Sequence, residues 1–321
     1  MMDDNWTAEN IPDLTGKVII VTGSNSGIGF EAAKEFARNG AHTILACRNM
    51  EKAQSALDLI QAAIPNAHAE IMRLDLANLD SVHEFAHEFH EHFARLDVLV
   101  NNAGIMMAPY TVTLDGFENH FATNHLGHFA LTGLLLDALL TAPGSRVVNV
   151  SSSGHRRGRM DFRNLMFKVP GSYSPMGAYS RSKLANLLFT YELQRRYNAV
   201  DIDAFAVAAH PGMSSTNLGR YLEMKWYFNI SIPLMSWMMQ SATIGALPTL
   251  RAAVDPNVKG CEYYGPSGLF EMRGSPVIVQ SSNTSHNEDA ARELWTISEQ
   301  LTNVQFTQLD ERTETVESAV S

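Results

Sequence analysis

Tyr179 and Lys183 stand four residues apart, a spacing that puts both side chains on one face of a helix. A free tyrosine gives up its proton only near about pH 10, too high for acid–base work at neutral pH, and an adjacent ammonium favours the tyrosinate. Such a pair on its own is commonplace on helix surfaces, so it gains meaning only from its company. A second constellation is His83-Glu84-Phe85-Ala86-His87, followed by His90 and His92. Its spacing matches a zinc-binding helix in principle. Val82, Phe85, Ala86, Phe89 and Phe93 form the opposite, apolar stripe, so the histidines are expected to face solvent and no metal site is predicted.

The third is Thr22-Gly23-Ser24-Asn25-Ser26-Gly27-Ile28-Gly29, directly after a short β-rich apolar run and directly before a helix-period segment. A glycine-rich turn there lets the backbone approach a pyrophosphate and aims the free N–H groups of a helix start at the anion. The predicted helix carries Ile28, Ala32, Ala33, Phe36 and Ala37 as its apolar stripe, with Gly40 closing it.

These residues need a scaffold. Runs at 18–21, 43–46, 71–74, 98–100, 147–150 and 205–208 read as strands covered on both faces, and helix-period segments separate them. Strand and helix in alternation imply right-handed crossovers and a parallel sheet. The predicted fold is α/β, a Rossmann-like doubly wound sheet over residues 14–305, with a loose Thr/Glu-rich tail from 306 to 321. The 321 residues are 45% hydrophobic and 18% charged, ordinary for a globular enzyme, with no run long enough to span a bilayer. The net charge of -10 is concentrated near the ends, at Asp3, Asp4, Glu9, Asp13, Asp310, Glu311, Glu314 and Glu317. A body without a basic surplus excludes duplex nucleic acid as the expected partner. Cys47 and Cys261 lie far apart with no secretory signal before them, which points to a reducing cytoplasm.

The turn resembles the T-G-x-x-x-G-x-G of the classical short-chain dehydrogenase/reductases, and further matches follow in that family's order. They are Asp75, Asn101-Asn102-Ala103-Gly104, Asn124, Ser152, Tyr179-Ser180-Arg181-Ser182-Lys183, Pro211-Gly212 and Thr216, together covering roughly residues 14–268. Ala46-Cys47-Arg48-Asn49 and Ser182-Lys183-Leu184-Ala185-Asn186 look most like the subgroup of retinol dehydrogenases and protochlorophyllide reductases. The resemblance implies an oxidoreductase that moves a hydride between a nicotinamide dinucleotide and a carbonyl or alcohol. It implies Asn124, Ser152, Tyr179 and Lys183 as the catalytic set, with Ser152 on the substrate oxygen, Lys183 on the nicotinamide ribose and Asn124 holding a relay water. It implies Gly23, Asn25, Ser26, Gly27, Ile28, Gly29, Asp75, Leu76, Asn102, Ala103, Gly104, Pro211, Gly212 and Thr216 as cofactor contacts, with Asn101 giving backbone contacts near the ribose. Where NAD-binding members end their second strand with an acid, this chain has Arg48. An arginine can hold a 2′-phosphate through charge-assisted bonds, with Lys52 or Asn25 as a neighbouring contact, so NADP(H) is the expected cofactor.

Two segments are expected to shape the substrate side. The loop 153–177 carries His155-Arg156-Arg157-Gly158-Arg159 and Phe162, its basic cluster read as solvated; the stretch 217–247, rich in Met and aromatics from Met224 to Met239, takes the family's lid position. Methionine adapts to varied apolar shapes, which suits a small hydrophobic ketone, aldehyde or alcohol. A homodimer or homotetramer is consistent with relatives that pair through the helix bearing Tyr179. The alternative is a dinucleotide-sensing protein on the same fold without catalysis.

Overall fold

The computed structural model describes residues 5–213 and 240–310. Eight strands form one sheet in the order β3-β2-β1-β4-β5-β6-β7-β8. They are β1 (Val18–Thr22), β2 (His42–Cys47), β3 (Ala69–Arg73), β4 (Val98–Asn101), β5 (Ser145–Val150), β6 (Ala204–Ala209), β7 (Tyr263–Pro266) and β8 (Pro276–Ile278). Every neighbouring pair is parallel except β7 with β8. Strand order reverses where β1 lies between β2 and β4, and in open α/β sheets the crevice at such a reversal receives ligands.

Alternate side chains of each strand enter opposite layers. Ile19, Val21, Leu45, Val100, Val148 and Val207 pack with helix α1 (Gly27–Arg38), helix α2 (Met50–Ala63) and the later helix Ala242–Val254. Ile20, Ile44, Leu99, Val147 and Ala206 pack on the other side with α3 (Leu79–His92) and with Phe129, Phe189 and Trp295. The chain between β4 and β5 runs through α4 (Asn119–Phe121), a π-helical stretch Ala122–Leu126, α5 (Gly127–Leu134) and α6 (Leu136–Leu140). The 25-residue α7 (Pro175–Ala199) starts with Ser174 accepting from Gly177 N and Pro175 at its first position. That start suits proline, which has no N–H to lose there.

The six expected strands are present. The α1 helix begins at Gly27 and ends at Arg38, with Gly40 following in the left-handed region. The structure moves both expected domain edges outward. Trp6 and Ile11 are buried in the layer of α1, and Phe306 and Leu309 are buried beside Trp295. The loose tail expected from residue 306 therefore does not hold for residues 306–310, because Phe306 fills the core against Phe129 and Trp295. The lid expected at 217–247 lies mostly outside the described residues; its last part, from Ala242, belongs instead to the helix Ala242–Val254 against the sheet.

Candidate active site

Thr22 ends β1 with its hydroxyl as an anchor. The Asn102 and Ala103 amides donate to Oγ1 at 2.9 Å each, and the Asn102 side chain donates to the Thr22 carbonyl at 2.7 Å. The glycine turn is thereby pressed against the loop after β4. Gly23 has φ +67°, and a Cβ on it would come within 2.9 Å of Ala103; one on Gly29 would meet Asn102 Nδ2 at 2.5 Å and the Gly23 carbonyl at 2.8 Å. No larger residue fits without moving backbone. Ser26, in extended conformation, precedes the first turn of α1, whose unpaired N–H groups open toward the crevice.

A cleft of about 670 Å³ follows from this turn, lined by Gly23, Asn25, Ser26, Gly27, Ile28, Gly29, Arg48, Asp75, Leu76, Asn102, Ala103, Gly104, Tyr179, Lys183 and Pro211. Its size falls within the usual range of roughly 300–1,000 Å³ for small-molecule and cofactor sites. Phe30, Asn49, Lys52, Ser55, Leu59, Ile105, Met106 and Thr123 also line it. At one end Arg48 faces Asp75 at 3.8 Å and stays largely exposed. Gly212 is not in the wall although Pro211 is, and Thr216 lies outside the described residues. The Asn101 side chain is buried and donates to Asn149 at 2.9 Å and Thr132 at 3.1 Å, inside the sheet rather than in the cleft.

At the other end stands Tyr179, buried in α7. Three adjacent serines follow β5 in different surroundings, and of the three it is Ser151 that lines the cleft. Ser151 is buried and donates to the Lys183 carbonyl at 2.9 Å, and Ser153 is exposed. Ser152 shares with Tyr179 the cover of Gly154, whose Cβ would lie 3.2 Å from the ring and 3.4 Å from the serine hydroxyl. His155 holds the turn by donating to the Ser152 carbonyl at 2.6 Å and accepting from Ser282 N at 3.0 Å. Burial lowers its pKa to about 4, so it serves as a neutral brace. Arg156 and Arg157 are exposed, as expected, and Arg156 also bonds Glu271 at 3.1 Å and the Gln280 carbonyl at 2.6 Å.

Lys183 is buried, donates to the Val150 carbonyl at 2.8 Å, and is lowered by desolvation to about 8. The expected acidification of Tyr179 is not what the structure has. Burial pushes the phenol above its ordinary value, and the opposing effect comes from the Ser152 hydroxyl. The reason is placement, since the ammonium is turned to a backbone carbonyl and sits 6.0 Å from the ring centre. Asn124 does not line the cleft. Its amide donates to the Ile105 carbonyl at 3.0 Å and to Ser182 at 2.8 Å, and accepts from Ile105 N at 2.8 Å, so the side chain braces the β4 loop against α7. It lies in the π-helical stretch, a distortion frequent at functional sites. The H-E-x-x-H histidines face solvent as expected, with His83, His87 and His90 exposed on α3.

A model of short chain dehydrogenases matches residues 17–225. The chain belongs to the short-chain dehydrogenase family. It is 39% identical to retinol dehydrogenase 13 of Homo sapiens over 291 residues, 90% of this chain and 85% of that protein. It is 41% identical to retinol dehydrogenase 11 of Mus musculus over 299 residues, 93% of this chain and 90% of that one. The crystal structure of an uncharacterised protein from Mycobacterium paratuberculosis is 41% identical with a TM-score of 0.78, covering 94% of this chain and 99% of that one. This short-chain dehydrogenase is thus an oxidoreductase of the retinol dehydrogenase-like subgroup, from a family that binds NAD(P). No helix among its described residues is long and apolar enough to cross a membrane.

Two residues of this short-chain dehydrogenase have roles that its motifs do not state, one inside the glycine motif and one outside every motif. Thr22 carries the junction between turn and loop, and His128 lies buried beneath it. The available signal was Asn124-His125-Leu126-Gly127-His128, where one helical turn separates a motif asparagine from a histidine.

Proposed function

We propose that this chain is an NADP(H)-dependent oxidoreductase that interconverts a hydrophobic ketone or aldehyde and its alcohol, with Tyr179 as the acid–base group. The observation that carries the reading is one continuous cleft with Arg48 and Lys52 at one end and Tyr179 and Lys183 at the other, joined by the glycine turn. The residues fit a dinucleotide: the turn offers N–H groups and close backbone approach for a pyrophosphate, and Arg48 offers a cation for a 2′-phosphate. When bound, the nicotinamide supplies or accepts the hydride.

The chain's own part is positioning and proton transfer. Ser152 holds the substrate oxygen, and Tyr179 donates its proton to that oxygen during reduction. A buried phenol kept above its ordinary pKa is protonated at neutral pH, the form that reduction needs. As the proton leaves, negative charge grows on Tyr179 with the Lys183 ammonium 6.0 Å from its ring centre, and a cation at that range favours the developing charge more than the neutral phenol. Lys183 also provides hydrogen-bond donors for the nicotinamide ribose. Asn124 keeps the loop after β4 and α7 in register. Met106 and Ile105 give the cleft wall an apolar part, and the names of the relatives point to retinoid-like carbonyls as the first compounds to try.

The experiment is a panel of hydrophobic carbonyls, all-trans-retinal among them, assayed with NADPH and NADH side by side, with equilibrium binding of both nucleotides. Turnover with NADPH that disappears in Tyr179→Phe supports the reading. Full turnover in that variant refutes the acid assignment, and tight binding without turnover of any carbonyl favours the sensor.

A further inference from the structure

His128 is 2% exposed and touches both halves of the site. Its Nδ1 lies 3.1 Å from the Asn124 carbonyl and its Nε2 lies 2.9 Å from Thr22 Oγ1. A carbonyl only accepts, so Nδ1 carries the proton and Nε2 of the neutral ring is an acceptor. Thr22 Oγ1 already accepts from two amides and has one hydrogen to give, with Val100 O at 3.3 Å as the other candidate. Were that hydrogen turned to Val100, two lone pairs would face each other at 2.9 Å; the network therefore sends it to His128. The result is a directed chain from the Asn102 and Ala103 amides, through the Thr22 hydroxyl and the imidazole, to the Asn124 carbonyl.

We propose that His128 is a positioning residue that holds the nucleotide turn in register with the catalytic end of the cleft, one ring nitrogen serving each. The inference rests on the functional reading above. The ring is suited to the role only when neutral, since protonated Nε2 would lose its acceptor. Burial, together with repulsion from nearby Lys183, holds its pKa down at about 3. Its bond to Asn124 supports the asparagine that braces Ile105 and Ser182, within one turn of Tyr179 and Lys183. Small errors in such a brace are felt in the reaction step, because reacting groups must meet in a narrow range of geometries.

Two substitutions divide the ring's functions. His128→Gln presents a polar group near the Nε2 position and can still accept from Thr22, but loses the donor to Asn124. His128→Asn places its amide near the Nδ1 position and keeps that donor, but loses the Thr22 acceptor. Equilibrium NADPH binding by fluorescence and kcat for a carbonyl substrate are measured on both, with Tyr179→Phe as reference. The Gln variant is expected to bind NADPH within about twofold of wild type and lose about tenfold in kcat, and the Asn variant to weaken binding about tenfold with kcat within about threefold, each lost buried bond acting on one parameter. Both parameters changing together in both variants would mean general loosening of the core, and no change in either would mean an idle ring; each overturns the proposal. If wild type turns over no carbonyl, the functional reading fails separately, and the binding arm still decides the Thr22 half: weaker binding in Asn alone supports it, any other pattern refutes it.

Discussion

The Lys183 ammonium donates to the Val150 carbonyl at 2.8 Å while sitting 6.0 Å from the centre of the Tyr179 ring. Backbone, rather than phenol, fixes the cation. Lys183 titrates at about 8, so it is charged below that pH and neutral above it. Carbonyl reduction, which needs a protonated phenol and a charged lysine, is expected to stay level from pH 6 to about 7.5 and to fall above about 8. Alcohol oxidation, which needs the phenol deprotonated while the lysine is still charged, is expected to rise with pH up to about 8 and to level off above it. In Lys183→Met the fall near 8 disappears and reductive kcat drops by about a hundredfold or more. Profiles of kcat against pH in both directions check this, and an alkaline limb unchanged in Lys183→Met would assign it to another group.

Arg48 meets Asp75 across 3.8 Å at the far end of the cleft. Arg48→Asp would place two carboxylates where a 2′-phosphate is expected, replacing attraction by repulsion. The preference for NADPH over NADH, measured as the ratio of kcat/KM values, is expected to fall by about tenfold to a hundredfold. Lys52→Ala should move it in the same direction by less. Unchanged selectivity in Arg48→Asp would remove Arg48 from the phosphate site.

Gly29 is constrained by closeness. Its Cβ would meet Asn102 Nδ2, and that nitrogen is already bonded to the Thr22 carbonyl at 2.7 Å. Gly29→Ala must therefore move the turn or break the bond, at about 1–3 kcal/mol. Because the strain falls on the wall of the cleft, NADPH affinity is expected to drop about tenfold or more, with the far-ultraviolet circular dichroism spectrum retained. Titration of the nucleotide into the variant measures it.

Much of this arrangement was legible in the sequence because it is written in local terms. Apolar runs bounded by helical periods give six parallel strands, Thr22 to Gly29 and Asn102 to Gly104 lie at the ends of β1 and β4, and Tyr179 and Lys183 stand one turn apart on α7. β7 and β8 were hidden because they are short and contain Gly265, Pro266 and Pro276, residues that ordinarily interrupt strands. The direction of the Tyr179 shift was missed for another reason: burial depends on the whole fold, whereas the helical spacing of Lys183 shows only nearness. The inward turn of Asn101, the bond between His128 and Thr22, and Arg156 on Glu271 all link residues far apart in the chain. No periodicity records them.

Phe306 makes the same point near the C-terminal end. Polar neighbours give a loose tail, yet its ring is fully buried, 4.6 Å from Trp295 and 5.0 Å from Phe129 between ring centres. Phe306→Ala is expected to cost about 3–5 kcal/mol of folding stability, the usual range for emptying a core aromatic site. Urea unfolding monitored by tryptophan fluorescence and circular dichroism provides the measurement; a loss under about 1 kcal/mol would mean that the ring is not part of the core.

Acid should unfold the protein through its buried histidines. His125 and His128 are fully buried and lowered by desolvation to about 3, from an unfolded value of 6.5. Between those values the unfolded chain takes up protons that the native chain refuses. Stability is therefore complete above about pH 6.5 and is lost as pH falls toward 3. Each group costs about 1.4 kcal/mol per pH unit once well below 6.5, so the pair contributes roughly 3 kcal/mol per unit. Against a typical total of about 5–15 kcal/mol, unfolding is expected well before pH 3. His125 is ringed by Phe121, Phe129 and Phe189 and bonds Ser298 at 3.0 Å, so His125→Phe keeps a ring in place and removes one titrating group. Urea midpoints at pH 7, 6 and 5 should then decline less steeply than in wild type, by about one proton in the slope. An equal decline in the two proteins would show that His125 is protonated as readily in the native state as in the unfolded chain.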